Sequence, residues 1–152
     1  MKESLTLNKM KKIILISCVS KKLSKKSKAE SLYISPLFKF NLKFAKQMNP
    51  DKIFILSAEH HLLPLDKEIE PYNKTLNTMK SDEIKEWAGI VLNQLRKEAN
   101  LNQDKFIFLA GERYRKFLVP HINNYEIPLK GLGIGKQLGW LKKKVSDVQR
   151  ML

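Results

Sequence analysis

Lys12-Ile13-Ile14-Leu15-Ile16-Ser17 is a lysine followed by apolar residues without alternation, and the pattern returns as Lys52-Ile53-Phe54-Ile55-Leu56-Ser57 and Lys105-Phe106-Ile107-Phe108-Leu109-Ala110. Continuous apolar runs of this length predict strands covered on both faces, as in parallel sheets. Helical patterns lie between and after them. Ser35 caps a helix with Pro36 at its first position and Leu37, Phe38, Leu42, Ala45 and Met48 at helical spacing, and Asn49-Pro50 ends it. Ser81 caps a second, with Asp82 and Glu83 in the first turn and Ile84, Ala88, Val91 and Leu95 on one face. A third follows Gly111 and groups Tyr114, Leu118 and Ile122, until Pro120 bends or ends it. A fourth starts near Gly135, with Leu138, Leu141, Val145, Val148 and Leu152 on one stripe and Lys142-Lys143-Lys144 outward. Strands alternating with helices predict right-handed crossovers and an α/β three-layer sandwich: a mostly parallel central sheet of about four strands flanked by helices. The reading gives one domain over residues 1–152, with residues 1–11 a flexible basic N-terminus.

A chain of 152 residues with 43% hydrophobic content is long enough to build a core. One cysteine excludes an internal disulfide framework, a four-cysteine zinc site and a Cys-ligated iron–sulfur cluster, and fits a reducing compartment. The apolar runs are too short to span a bilayer, and Met1-Lys2-Glu3-Ser4 lacks the apolar core of a signal peptide, so the expected location is the cytoplasm. The formal charge is +14, distributed as +10 over residues 1–50, −2 over 51–100 and +6 over 101–152. That segregation points to a polyanionic partner, with nucleic acid ahead of a membrane surface. A single lysine run would only mark a solvated face.

In an open parallel sheet, ligands bind beyond the carboxyl ends of the strands. The three strands end in Ser17-Cys18-Val19-Ser20-Lys21-Lys22, Ser57-Ala58-Glu59-His60-His61 and Ala110-Gly111-Glu112-Arg113-Tyr114, so each delivers polar groups to one edge. The stretch LSAEHHLLPLDKEIEPYNKTL, residues 56–76, is the densest in titratable groups and is expected to be an ordered active-site loop pinned by Leu62, Leu63, Leu65 and Ile69. Within it Glu59, His60 and Asp66 suit acid–base work, while Lys67, Glu68 and Glu70 face solvent. Adjacent His60 and His61 diverge and no zinc spacing accompanies them, so no metal is expected. Cys18, beside Lys21 and Lys22, is either a low-pKa thiol or a small packing residue. Gly131-Leu132-Gly133-Ile134-Gly135-Lys136-Gln137 matches no nucleotide fingerprint, so no nucleotide cofactor is expected, but glycines before a helix with Lys136 in its first turn suit one backbone phosphate. Glu112-Arg113-Tyr114-Arg115-Lys116 offers two guanidinium groups and a ring for phosphate clamping and base stacking, with core packing the plain alternative for Tyr114.

The series ILISCVSKK, SPLF, LSAEHHLLPLDKEIEPYNKTL, LAGERYRKFL and PLKGLGIGKQLGWL, spanning about Ile13 to Leu141, resembles a family of small bacterial and phage domains similar to the uracil-DNA glycosylase superfamily and to domains attached to tRNA-guanine transglycosylase-type enzymes. The resemblance implies a uracil-DNA-glycosylase-like sandwich and an antiphage DNA glycosylase acting, without metal or other cofactor, on duplex phage DNA carrying modified, glucosylated hydroxymethylcytosine. In that pattern the position of His61 is commonly glycine and that of Asn73 aspartate, and the aspartate-proline motif of the uracil enzymes is missing here. On this reading Asp66 or Glu59 stabilises the sugar cation and orients water, His60 or Asn73 hydrogen-bonds the base, and Tyr72 or Tyr114 stacks on it. Ser17, Cys18, Lys21, Lys22, Glu112, Arg113, Lys136 and Gln137 complete the expected DNA and substrate contacts. The alternatives are a non-catalytic nucleic-acid-binding or tRNA-modification accessory domain, and a defence regulator that binds protein. The sequence sets no oligomeric state.

Overall fold

The computed structural model describes residues 9–17 and 21–151. In chain order the elements are β1 (Lys12–Ser17), β2 (Ser27–Lys28), α1 (Ala29–Leu32), α2 (Pro36–Gln47), β3 (Lys52–Ser57), β4 (His61–Pro64), β5 (Glu68–Ile69), a 3-10 turn at Leu76–Thr78, α3 (Ser81–Glu98), β6 (Lys105–Leu109), α4 (Glu112–Arg115), a 3-10 turn at Val119–His121, β7 (Tyr125–Glu126) and α5 (Ile134–Met151). The central sheet has five strands in the order β4-β3-β1-β6-β7. All its pairings are parallel except β3 with β4, which is antiparallel. The α/β sandwich expected from the sequence is thus present, with five strands where about four were expected.

The apolar runs serve both faces at once, because successive side chains on a strand point to opposite sides. Ile13 and Leu15 of β1, Phe54 and Leu56 of β3, and Phe106 and Phe108 of β6 pack with Trp87, Val91 and Leu95 of α3 and with Tyr114 of α4. Ile14, Ile16, Ile55, Ile107 and Leu109 pack on the other side with Phe38 and Ala45 of α2 and Leu141 of α5. The amino edge of the sheet is tied by carboxylates. Asp51 accepts the Lys12 N–H at 2.7 Å, and buried Asp104 accepts those of Lys11 and Asn100 at 2.9 and 2.7 Å. Lys11 is thus hydrogen-bonded into the fold, and residues 1–8 of the N-terminus expected to be flexible lie outside the described residues.

The helix boundaries differ from the sequence reading for local reasons. Ser35 does cap α2, accepting the Phe38 N–H at 3.2 Å. Ser81, expected as a cap, is instead the first residue of α3, and the Glu83 carboxylate accepts the Lys80 N–H at 2.9 Å, filling the role from inside the helix. The expected third helix is reduced to the single turn α4 and a separate 3-10 turn containing Pro120, whose ring blocks helix continuation. Tyr114, Leu118 and Ile122 are nevertheless buried together. The stretch 56–76 is a strand hairpin and a second small pairing of β2 with β5, where a loop was expected. Its tight turn places His61 at φ 61°, the left-handed region that glycine adopts most readily.

Candidate functional site

From β1 the chain crosses to β3 on one side and then returns to β6 on the other, so the strand order reverses at β1. The carboxyl edge at such a reversal is where open α/β sheets leave a crevice. A cavity of about 440 Å³ opens there, between Ser17 at the end of β1 and the Leu109–Glu112 segment that ends β6. That size is within the range of small-molecule sites. Its wall continues onto the first turns of α2 and α5, through Leu37, Asn41, Ile134 and Gln137, and onto the 129–132 loop. Both helices start at this edge, which turns their positive dipole ends toward the cavity. Gly131, at φ 82°, shapes the loop in a backbone conformation that strains any side-chain-bearing residue.

The cavity wall mixes apolar side chains with convergent polar ones. Ser17 Oγ accepts the Gly111 N–H at 3.2 Å, tying the two strand ends together. The Arg115 guanidinium donates to the Ala110 carbonyl at 2.8 Å, and Arg113 donates to that of Met79 at 3.4 Å. Gln137 donates from Nε2 to the Leu132 carbonyl at 2.7 Å, bracing the loop against α5. Glu112 is exposed and is the carboxylate in this wall. Asn41 is only 4% exposed, and its Oδ1 has no hydrogen-bond partner. A buried amide oxygen left unpaired costs about 1–3 kcal/mol, and this one belongs to a residue of the cavity wall, where a bound polar group can pair it.

One strand further along the edge, the end of β3 is built differently. Ser57 is fully buried, and its Oγ accepts the His60 N–H at 2.9 Å and lies 2.8 Å from the Tyr72 hydroxyl. Tyr72 is in turn hydrogen-bonded to the Tyr33 hydroxyl at 2.5 Å. The Lys22 ammonium sits 4.6 Å from the Tyr72 ring centroid and 5.7 Å from that of Tyr33, and the His60 ring meets Tyr72 edge-on at 5.3 Å. Burial lowers the His60 pKa below its ordinary value, aided by Lys67 and opposed by Glu59. Burial likewise lowers that of His61, with Lys74 and His60 acting in the same direction and Glu59 against them. In both, burial favours the neutral imidazole.

The structure divides the residues expected from sequence between these two places. Ser17, Glu112, Arg113, Tyr114 and Gln137 line the crevice. Tyr114 does so as a core residue: it is 6% exposed, packs edge-on against Trp87 at 5.8 Å, and its hydroxyl meets Thr75 and the Leu76 N–H, both at 3.4 Å. Its ring is therefore not offered for base stacking. Lys22, His60 and Tyr72 belong to the network at β3. Glu59 and Asn73 are exposed and do not line the crevice, and neither does Lys136, which stands exposed in the first turn of α5. Lys21 is exposed and its carbonyl accepts the Ile34 N–H. Asp66 is farthest from expectation. It follows β4, whose Pro64 pairs with Phe54, so it lies toward the amino half of β3, away from the crevice. Cys18 lies outside the described residues. Asn41 and Asn77, which the sequence reading missed, do line the cavity. Asn41 carried a usable signal, since it occupies the buried stripe of α2 between Phe38 and Ala45.

Among the described residues, no three His, Cys, Asp or Glu side chains come together to hold a metal ion, and no helix is long and apolar enough to cross a membrane. The molecule is thus an α/β sandwich with a crevice at the topological switch point. Its chain belongs to a family of unknown function, DUF6884, whose model matches residues 13–143. No curated protein matches the sequence.

Proposed function

We propose that the chain is a DNA glycosylase of the cytoplasm, in which the switch-point crevice receives a base flipped out of duplex DNA and the N-glycosidic bond is hydrolysed. The observation that carries this reading is the crevice wall itself: an exposed carboxylate, two guanidinium groups and amide side chains converge on a partly apolar cavity in a strongly basic protein. Arg113 and Arg115 suit the phosphates flanking a flipped nucleotide, and Asn41, Asn77 and Gln137 suit the polar edge of a base. Glu112 takes the role that the sequence reading gave to Asp66 or Glu59. As the C1′–N bond breaks, the base leaves with the bonding electron pair, and positive charge develops on the sugar. The Glu112 carboxylate stabilises that charge and orients a water, which adds to C1′. One of its protons passes to the carboxylate and on to the departing base. Modified cytosine of phage DNA, glucosylated hydroxymethylcytosine first, is the substrate that the family resemblance nominates.

A second reading, a nucleic-acid-binding module without catalysis, is favoured by one observation: Glu59 and Asp66 both stand outside the crevice. A single experiment separates the two. The protein is incubated with modified phage DNA and with unmodified DNA, and released base and abasic sites are measured by mass spectrometry. Base release from modified DNA, lost in Glu112→Gln, is the expected result. Duplex binding with no base released from a broad panel of modified DNAs would sink the enzyme reading and leave the binding module.

A further inference from the structure

Helices α2 and α5 lie side by side and run in the same direction. Leu37 and Asn41 share the crevice wall with Ile134 and Gln137, Phe44 meets Trp140 edge-on at 5.2 Å, and Gln47 Nε2 donates to the Val145 carbonyl at 3.4 Å. Their outward faces are strongly basic. Together the two helices carry eight basic side chains against Asp147 alone, a net of +7, whereas α3 on the opposite side of the sheet carries three basic and four acidic, a net of −1. These two helices thus carry half of the chain's net charge of +14.

We infer that the α2/α5 face is the docking surface for the phosphodiester backbone of duplex DNA, with the crevice at the end of that surface. Lys39 and Lys43 project from α2, and Lys142, Lys143 and Lys144 from α5, all exposed. Lys46 is less available, because it pairs with Glu30 at 3.0 Å. Packed helices lie about 8–10 Å apart. Lys39 and Lys43, four residues apart, share one face of α2, while the consecutive Lys142, Lys143 and Lys144 fan around the exposed side of α5, so the two helices together present a broad strip of ammonium groups to backbone phosphates. Aromatic rings beneath them restrict two of these ammonium groups: Lys142 stands 5.7 Å from the Phe40 centroid and Lys144 5.5 Å from that of Trp140. A bilayer surface fits less well. Membrane-lying helices expose an apolar face, whereas here the large apolar side chains exposed on these helices are Ile134 and Met151 near their ends. Both helices begin at the crevice, so a duplex held along them has a nucleotide at its mouth.

The inference rests on DNA being the partner and not on base excision, and the two fail separately. Binding of a 20-bp fluorescent duplex is measured by anisotropy across a salt series. The variants are K142Q/K143Q/K144Q on α5, K39Q/K43Q on α2, and K85Q/R96Q/K97Q on α3, with circular dichroism confirming the fold of each. The α5 variant is expected to lose at least 10-fold in affinity at 0.15 M salt, with a salt slope shallower by about 0.9 for each phosphate contact removed. The α2 variant is expected to lose 3- to 10-fold, and the α3 variant less than 2-fold. An α3 variant that loses as much as the α5 variant would overturn the inference, as would an α5 variant that binds like the parent. Vesicles rich in phosphatidylserine that are bound through α5 while the duplex is not would make the face a membrane surface instead. Ten-fold tighter binding of single-stranded DNA or RNA would overturn the duplex. A chain that binds duplex through α5 yet releases no base leaves this inference standing and removes only the glycosylase reading.

Discussion

Two neighbouring strand ends on the same edge of the sheet finish in opposite ways. At β3 the polar groups close on one another: Ser57, Tyr72, Tyr33 and the His60 backbone form a hydrogen-bonded network under the Lys22 ammonium. At β1 and β6 they stay open around a cavity, with an exposed carboxylate and a buried amide oxygen lacking a partner. A satisfied network stabilises a fold, whereas unpaired groups facing a cavity are capacity held for a ligand. The difference teaches that density of titratable residues along the sequence is a poor guide to the site. The richest segment, residues 56–76, spends much of its chemistry on internal bonds.

Substitutions at the two ends should therefore separate activity from stability. The largest effect is expected for Glu112→Gln, which should lower the rate of base release by at least about 100-fold, the scale of a lost acid–base or charge-stabilising group. Its exposed position should keep unfolding free energy within about 0.5 kcal/mol of the parent in urea titrations. Tyr72→Phe should do the reverse. It removes the hydrogen bonds that the Tyr72 hydroxyl makes to Ser57 and Tyr33, and should cost about 1–3 kcal/mol of stability with base release per folded molecule changed less than 3-fold. If Tyr72→Phe instead abolished turnover while leaving stability intact, the catalytic centre would have to be moved to β3. Asn41→Leu tests the open end from the other side: removing the unpartnered amide should raise stability by about 1 kcal/mol while weakening substrate binding, a gain and a loss read by denaturation and by KM. The smallest expected change is His61→Gly, which relieves a left-handed backbone at the hairpin turn and should add about 0.5–1 kcal/mol without altering the crevice.

The parts of the fold legible in the sequence are those with a strong repeating signal. Three apolar runs specify β1, β3 and β6, and Ser35-Pro36 specifies the start of α2 almost to the residue. Strands β4, β5 and β7 have four, two and two residues, too few for a period to register; β4 and β7 pair on the edges of the central sheet, and β5 pairs with β2 in a separate two-stranded sheet. Gln137 reaches the cavity from the glycine-rich stretch, while Ser17, Glu112 and Arg113 line it as expected from the carboxyl-edge rule. The rule failed for Asp66, because the antiparallel turn at His61 sends the chain back along β3 and carries the aspartate toward the opposite edge. Asn41 escaped notice for a related reason. Reading a helix for its apolar stripe passes over the polar residue embedded in it, and there the interruption marks the cavity wall.

The central position of β1 has a consequence for how the chain comes to be made. Its partner on one side, β3, arrives within a short stretch, but Lys11 and the Asp104 that holds it are 93 residues apart, and β6 follows directly after Asp104. At typical synthesis speeds of about 5–20 residues per second, the second edge of the most apolar strand waits on the order of 5–20 s for its partner to be made. Parallel pairings across such separations also form slowly once both strands exist. The nascent chain, with one flank of Ile13-Ile14-Leu15-Ile16 unpaired, is accordingly the form most exposed to strand-to-strand aggregation, and a chaperone that shields this run would act before β6 has left the ribosome.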